Sequence, residues 1–320
     1  KFEYTLGPLS GMLGMRIKID YDRRIISIDQ ELQARKMLSA FGMDNTNLKT
    51  ARAHCPDPGK MPAPTKGDVP TDKKELAQAM SVFDMPAAVG HMNYLAVGSR
   101  PDIELPLKHL SPFMRAWGDK HIQYAKHLMR YIAGSVALPL IIRSGYKLGV
   151  QIFTDASHAS NSDSRRSVLA VVIKVAGNTV MWCCLYSKIV AHSSCESELM
   201  ALDKGATMGQ FIKWLVELMG QPEQGPIDIF VDNQSTIDIT TNPVQPGRNL
   251  HVHARYFYVR DLVFGNTYSI WHLASKEMVA DMLVSFKGRP NFDYLLPLLM
   301  GCAQVEQIDG KHVWNTSLLL

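Results

Sequence analysis

The chain has 320 residues, 46% hydrophobic and 20% charged, with 22 Gly and 17 Pro, a globular mixture that excludes disordered, collagenous and coiled-coil chains. No run approaches the ~18 apolar residues of a membrane helix, so no membrane partner is expected. Net charge is +4 but uneven, with 21 basic against 14 acidic residues in 1–150 and 13 against 16 beyond. That pattern suits a polyanion-binding half beside a cation-binding half, or ordinary surface variation.

In chain order, Met12 to Ile19 alternates like a strand, Asp22-Arg23-Arg24 reads as a turn, and Ile25 to Asp29 as a return strand. Glu31 to Phe41 carries helical spacing ended by Gly42. Residues 51–75 hold five prolines and read as a loop or linker, and 87–117 as helix broken at Pro101, Pro106 and Pro112. Lys120 to Ile132 is amphipathic, with Ile122, Ala125, Leu128, Met129 and Ile132 on one face and Lys120, Lys126, His127 and Arg130 on the other. It is either a solvated helix on a core or a basic helix along a phosphate backbone, touched by Lys126 and Arg130.

From residue 148 the pattern changes. Strands are expected at 148–154, 167–175, 179–187, 227–231 and 267–273, and helices at 198–219, 235–241, 254–264 and 278–286. The order βββ-α-β-α-α-β-α predicts an α/β unit with a mixed five-stranded sheet covered by helices, preceded by a smaller α+β region. Five cysteines without a CxxC pair argue against a disulfide scaffold or structural zinc and for a reducing compartment. The opening Lys1, with no apolar leader after it, is expected of a piece of a longer protein without a secretion signal.

Four acids recur at element ends. Asp155 closes the first of these strands and Asp232 the fourth, while Glu198 and Asp281 sit in the first turns of the long and last helices. Singly, each is a turn former or helix cap. Four in this order point to one ligand site at the sheet's strand ends. Gathered carboxylates repel unless a hard cation neutralises them, and Mg²⁺ prefers such oxygens together with substrate phosphate. Two ions about 4 Å apart stabilise both oxygens of an in-line phosphoryl displacement. Of Glu196 and Glu198, Ser193 and Glu196 fit a capping box. Glu198 then lies about 200° around the helix and is the expected ligand.

These residues carry a resemblance. Thr154-Asp155-Ala156-Ser157, Ser193 through Leu202, Val231-Asp232-Asn233-Gln234-Ser235 and Val279-Ala280-Asp281 resemble the ribonuclease H domain of copia-type LTR retrotransposon polyproteins. Leu6-Gly7-Pro8-Leu9, Leu13-Gly14, Tyr94-Leu95-Ala96, Arg100-Pro101-Asp102-Ile103 and Ala125 through Tyr131 resemble the end of the adjoining reverse transcriptase. The resemblance implies a thumb/connection-like region at 1–143, a ribonuclease H-like domain at 144–310 and a tail at 311–320. It implies hydrolysis of the RNA strand of RNA/DNA hybrids with two Mg²⁺ ions, which Mn²⁺ can replace, held by Asp155, Glu198, Asp232 and Asp281. The hybrid would be read by backbone shape and 2′-hydroxyls. The arginine pair Arg165 and Arg166 would meet it, and Asn233, Gln234 and Ser235 would either touch the strand or cap the helix that follows.

The implied partner is the upstream polymerase region of the same polyprotein, and the implied location a cytoplasmic retroelement particle, with the nucleus as the alternative. The polymerase's paired aspartates lie upstream of Leu6 in such proteins, so no polymerisation is expected of this chain. It departs from the family at Cys183 to Ser187, where two lysines are replaced, at Ser167-Val168-Leu169-Ala170, and at Asn249 to His253. A mobile His near the last acid is absent from Ala274-Ser275-Lys276, leaving His272, His251 and His253 as weaker proton carriers. The alternative is therefore an inactive retroelement remnant serving as a nucleic-acid or protein binding module.

Overall fold

The computed structural model describes residues 9–44, 62–221, 225–242 and 253–319. Leu6 to Pro8, most of the proline-rich stretch and His251 lie outside them. The first part of the chain forms an antiparallel sheet, β1 (Gly11–Met12), β2 (Met15–Asp20), β3 (Ile25–Asp29) and β4 (Leu140–Arg143), in that order. Between β3 and β4 run helices α1 (Glu31–Ala40), α2 (Lys73–Val82), α3 (Met85–Gly98), α4 (Glu104–Leu110) and α5 (Asp119–Gly134). Pro106 does not break α4, since it sits in the helix's first turn, where no amide needs a partner.

The second sheet is built from β5 (Val150–Ser157), β6 (Val168–Val175), β7 (Asn178–Tyr186), β8 (Ile227–Val231) and β9 (Tyr268–His272). Its order is β7-β6-β5-β8-β9, with β5–β6–β7 antiparallel and β8 and β9 added parallel. The β6–β7 turn has two residues, Ala176 and Gly177, both at positive φ (47° and 75°). A turn of that hand matches strand twist.

Alternation along the central strands separates two cores. Ile152, Ile229 and Val231 face α6 (Ser194–Leu218), while Phe153 and Phe230 enter the larger cluster on the other side. Both faces are buried, which explains why β6 reads as a nearly continuous apolar run. The larger cluster also contains Leu38, Met92 and Leu128, so the core runs across residue 143. Asn178 clamps that junction, its Oδ1 accepting the Arg143 amide at 2.8 Å and its Nδ2 donating to the Arg143 carbonyl at 3.0 Å.

Three local expectations need correction. Strand β5 extends to Ser157, so Asp155 lies inside it, paired with Ala170, rather than closing it. The helix expected at 278–286 is a 3-10 turn, Val279–Leu283, where the Ser285 amide and hydroxyl both donate to the Asp281 carbonyl (3.1 and 3.3 Å) and the hydroxyl also donates to its carboxylate. The last true helix is α9 (Arg289–Met300). Finally, 311–320 is not a featureless tail: β11 (Lys311–Asn315) pairs with β10 (Gln304–Ile308). Asp309 and Gly310 turn the hairpin at positive φ (50° and 76°), a turn signal legible in the sequence. Helices α7 (Gln234–Thr241) and α8 (His253–Phe264) are the remaining α-helices among the described residues. No helix among the described residues is long and apolar enough to cross a membrane.

Candidate metal centre

Helix α6 starts at Ser194, after the Ser193 cap and four residues before the start expected from its apolar spacing. Ser193 caps it by accepting the Glu196 amide at 3.1 Å. Glu196 reaches back one residue further than a standard box, to the His192 amide at 2.6 Å. With the helix beginning at Ser194, Glu198 sits one turn in rather than in the first turn. Two glycines let α6 lie against β5: a Cβ on Gly205 would come 2.4 Å from Thr154 Cγ2, and one on Gly209 2.4 Å from Ile152 Cδ1. This close approach brings Glu198 beside the strand that carries Asp155.

Oxygens of Asp155, Glu198 and Asp232 lie within 4.8 Å of one another. Asp155 and Glu198 are each 5% exposed, and Asp232, just past β8, is half-buried. The Ala156 amide donates to both Asp155 Oδ1 (2.8 Å) and Glu198 Oε1 (3.3 Å). Glu198 Oε2 is buried without a hydrogen-bond partner. Burial raises the Asp155 carboxyl well above its ordinary range, and the charges of Glu198, Asp281 and Asp232 add to that. Burial likewise raises Glu198, with Asp232 the next cause. Such a group is held together at a cost that a divalent cation relieves.

Asp281 does not lie within 4.8 Å of all three. Its carboxylate is ion-paired with Lys287 and accepts the Ser285 hydroxyl at 2.7 Å, although its charge still reaches Asp155 and Glu198. One contact escaped sequence reasoning. Ser275 Oγ donates to Asp232 Oδ2 at 2.6 Å, from a 3-10 turn, Ser275–Glu277, that follows β9. The only sequence signal for it was its place after the fifth strand.

The residues expected at nucleic acid are placed as follows. Asn233 caps α7, its Oδ1 accepting the Thr236 amide at 3.0 Å, and Gln234 Nε2 bonds Asp238 Oδ1 at 2.7 Å along the same helix. Ser235 is exposed. Arg165 occupies the β5–β6 turn at φ 57°, and Arg166 borders a cavity of about 400 Å³ together with His109 and Tyr186. Lys126 and Arg130 are half-buried on α5, which packs on α1, α3 and α4 rather than on the acids. Lys126 Nζ lies 6.0 Å from the Phe83 ring centroid. His272 is exposed on β9, and His253 opens α8.

An antiparallel meander continued by two parallel strands, in the order β7-β6-β5-β8-β9 with helices on its faces, defines a ribonuclease H-like fold. The chain is similar to Pol polyproteins of plant transposons. It is 26% identical over 297 residues, 90% of its length, to the "Retrovirus-related Pol polyprotein from transposon TNT 1-94" of Nicotiana tabacum. It is 28% identical over 204 residues, 64% of its length, to the corresponding protein from transposon RE1 of Arabidopsis thaliana. The chain spans 21% of the first relative and 14% of the second. No family model matches. Among solved structures, RNase H1 from Halobacterium salinarum NRC-1 aligns at 17% identity with a TM-score of 0.32, covering 42% of this chain and 92% of that one. At that score the superposition adds nothing to the strand order.

Proposed function

We propose that this chain is the ribonuclease H portion of a retroelement reverse transcriptase, hydrolysing the RNA strand of RNA/DNA hybrids with the help of divalent cations. The observation that carries the reading is the convergence of Asp155, Glu198 and Asp232, with one buried Glu198 oxygen left without a partner. The donor set is all oxygen and anionic, which fits Mg²⁺ or Mn²⁺ rather than a softer metal. Asp155, Glu198 and Asp232 would hold the cation, with Asp281 contributing charge nearby. When bound, it supplies positive charge to a phosphodiester oxygen and polarises an attacking water.

The chain's own residues do the rest. The Ala156 amide fixes the adjacent oxygens of Asp155 and Glu198, and the Ser275 hydroxyl fixes Asp232. Burial makes the acid pair retain a proton that must leave when a cation enters, so loading is favoured by rising pH. A hybrid is recognised by backbone and 2′-hydroxyls rather than sequence. The upstream polymerase region of the same polyprotein is the partner that would deliver it.

The test is a labelled RNA/DNA hybrid with Mg²⁺, using the wild-type chain and Asp155→Asn. Cleavage by the wild type and its loss in the variant are expected, and a wild type that cuts nothing overturns the enzyme reading. The Lys287–Asp281 pair favours the alternative, a remnant that binds hybrid without turnover. Binding retained without cleavage decides for that.

A further inference from the structure

The Ser275–Glu277 turn that holds Asp232 is short and largely exposed, with Ser275 and Lys276 in solvent. Its own hydrogen bonds are two, Glu277 amide to Ala274 carbonyl (2.8 Å) and Met278 amide to Ser275 carbonyl (3.2 Å). A turn of this size does not fix a hydroxyl to a few tenths of an ångström unaided. Two side chains from the C-terminal elements grip it. Trp314 Nε1, on β11, donates to the Glu277 carbonyl at 2.9 Å, and the Tyr294 hydroxyl, on α9, bonds the Glu277 carboxylate.

Trp314 is itself held firmly. Its ring stacks on Phe153 at 5.1 Å and 17°, and Lys174 Nζ lies 5.8 Å from its centroid. Phe153 is two residues before Asp155 on β5. One indole therefore touches both the strand that carries Asp155 and the turn that holds Asp232.

We propose that Trp314 is a positioning residue for the acid cluster, acting through the Ser275–Glu277 turn on Asp232. The hairpin is then part of the site's support, setting the separation between Asp232 and Asp155 through Phe153 and the turn. The consequence for cation binding rests on the metal-centre reading above, while the positioning of Asp232 is measurable without any metal.

Trp314→Phe keeps a ring against Phe153 and removes the indole N–H. In the metal-free chain, the amide NMR signals of Asp232 and Asn233 are expected to shift in Trp314→Phe in the same direction as in Ser275→Ala. Val313→Ala, on the same strand but 37% exposed, leaves them in place. Tyr294→Phe, at a residue 45% exposed, keeps the ring, removes the second grip and is expected to shift the same signals. In calorimetric titration with Mn²⁺, Ser275→Ala lowers affinity by about tenfold, Trp314→Phe by less, and the double variant by less than the product of the two. Unmoved Asp232 and Asn233 signals in both Trp314→Phe and Tyr294→Phe overturn the proposal, as does full multiplicativity in the double variant. A wild type that takes up no Mn²⁺ sinks the cation reading instead, and the metal-free signals still decide the positioning.

Discussion

Lys287 and Asp281 form an ion pair beside the acid cluster, each side chain 16% exposed. The lysine ties the fourth carboxylate to a cation of the chain's own, although its charge still acts on Asp155 and Glu198, and leaves Asp155, Glu198 and Asp232 as the three that share a metal. Asp281→Asn is therefore expected to weaken Mn²⁺ binding far less than Asp155→Asn or Glu198→Gln. Lys287→Met frees the Asp281 carboxylate and is expected to tighten binding by about fivefold, equivalent to about 1 kcal/mol. Calorimetric titration of the four variants checks both, and an Asp281→Asn as damaging as Asp155→Asn would show that the ion pair opens when metal binds.

Asp155 and Glu198 are raised above the ordinary carboxylate range, first by burial and then by neighbouring carboxylates. The folded chain thus keeps protons that the unfolded chain releases from about pH 4 upward. The sign follows: unfolding free energy falls as pH rises through that window. With chelator present, the thermal midpoint is expected to drop between about pH 5 and pH 8, and Mg²⁺ to reduce the drop. Asp155→Asn removes the repulsion and should stabilise the metal-free chain at the upper end by on the order of 1–3 kcal/mol. A midpoint that rises across the window contradicts the assignment.

Gly205 faces Thr154 at a distance that leaves no room for a methyl group. Alanine normally favours a helix over glycine by about 1 kcal/mol. Here overlap with a stiff β-branched side chain wins, and Gly205→Ala is expected to cost about 1–3 kcal/mol and to weaken Mn²⁺ binding by moving α6 off β5. Gly90, exposed on α3 with open space where a Cβ would go, is the control. Gly90→Ala should stabilise the chain by up to ~1 kcal/mol. Urea unfolding of the two variants gives the opposite signs directly.

Arg100 and Asp102 face each other as a fork, Nε to Oδ1 at 2.8 Å and Nη2 to Oδ2 at 2.7 Å, with side chains 4% and 0% exposed. The Tyr131 hydroxyl donates to the same carboxylate at 2.6 Å, and Arg100 Nη1 donates to the Ser135 carbonyl at 2.9 Å. Asp102→Ala strands a buried guanidinium and should cost about 3–5 kcal/mol, whereas Arg100→Met with Asp102→Ala together should cost less than the sum of the two singles. Additive losses in urea unfolding would mean that the two groups do not act as a pair.

Periodicity and turn chemistry carried most of the architecture. The alternation of β2, the apolar run of β6 and the Ser193 cap of α6 are local signals, and each element formed within a few residues of its expected place. The Glu196–Glu198 choice was legible for the same reason, since helix geometry sends the two side chains to different sides. The Val279–Leu283 turn was not, because apolar spacing does not distinguish a short 3-10 turn from a helix. The β10–β11 hairpin was overlooked although Asp309-Gly310 marks it.

The amino-acid order by itself determined the strands of the second sheet with the long helix that packs on it, the mixed sheet, and which acids stand near strand ends, but not β4, α2, α9 or the β10–β11 hairpin. Those are properties of neighbours along the chain: side-chain alternation, helical period, caps and turn residues. Only the tertiary structure decided that Asp155, Glu198 and Asp232 meet while Asp281 pairs with Lys287, that Ser275 holds Asp232, and that Trp314 links the turn to β5. Each of those depends on where packed elements bring distant side chains, and a hydroxyl or an indole N–H carries no mark in the sequence of the partner it will find.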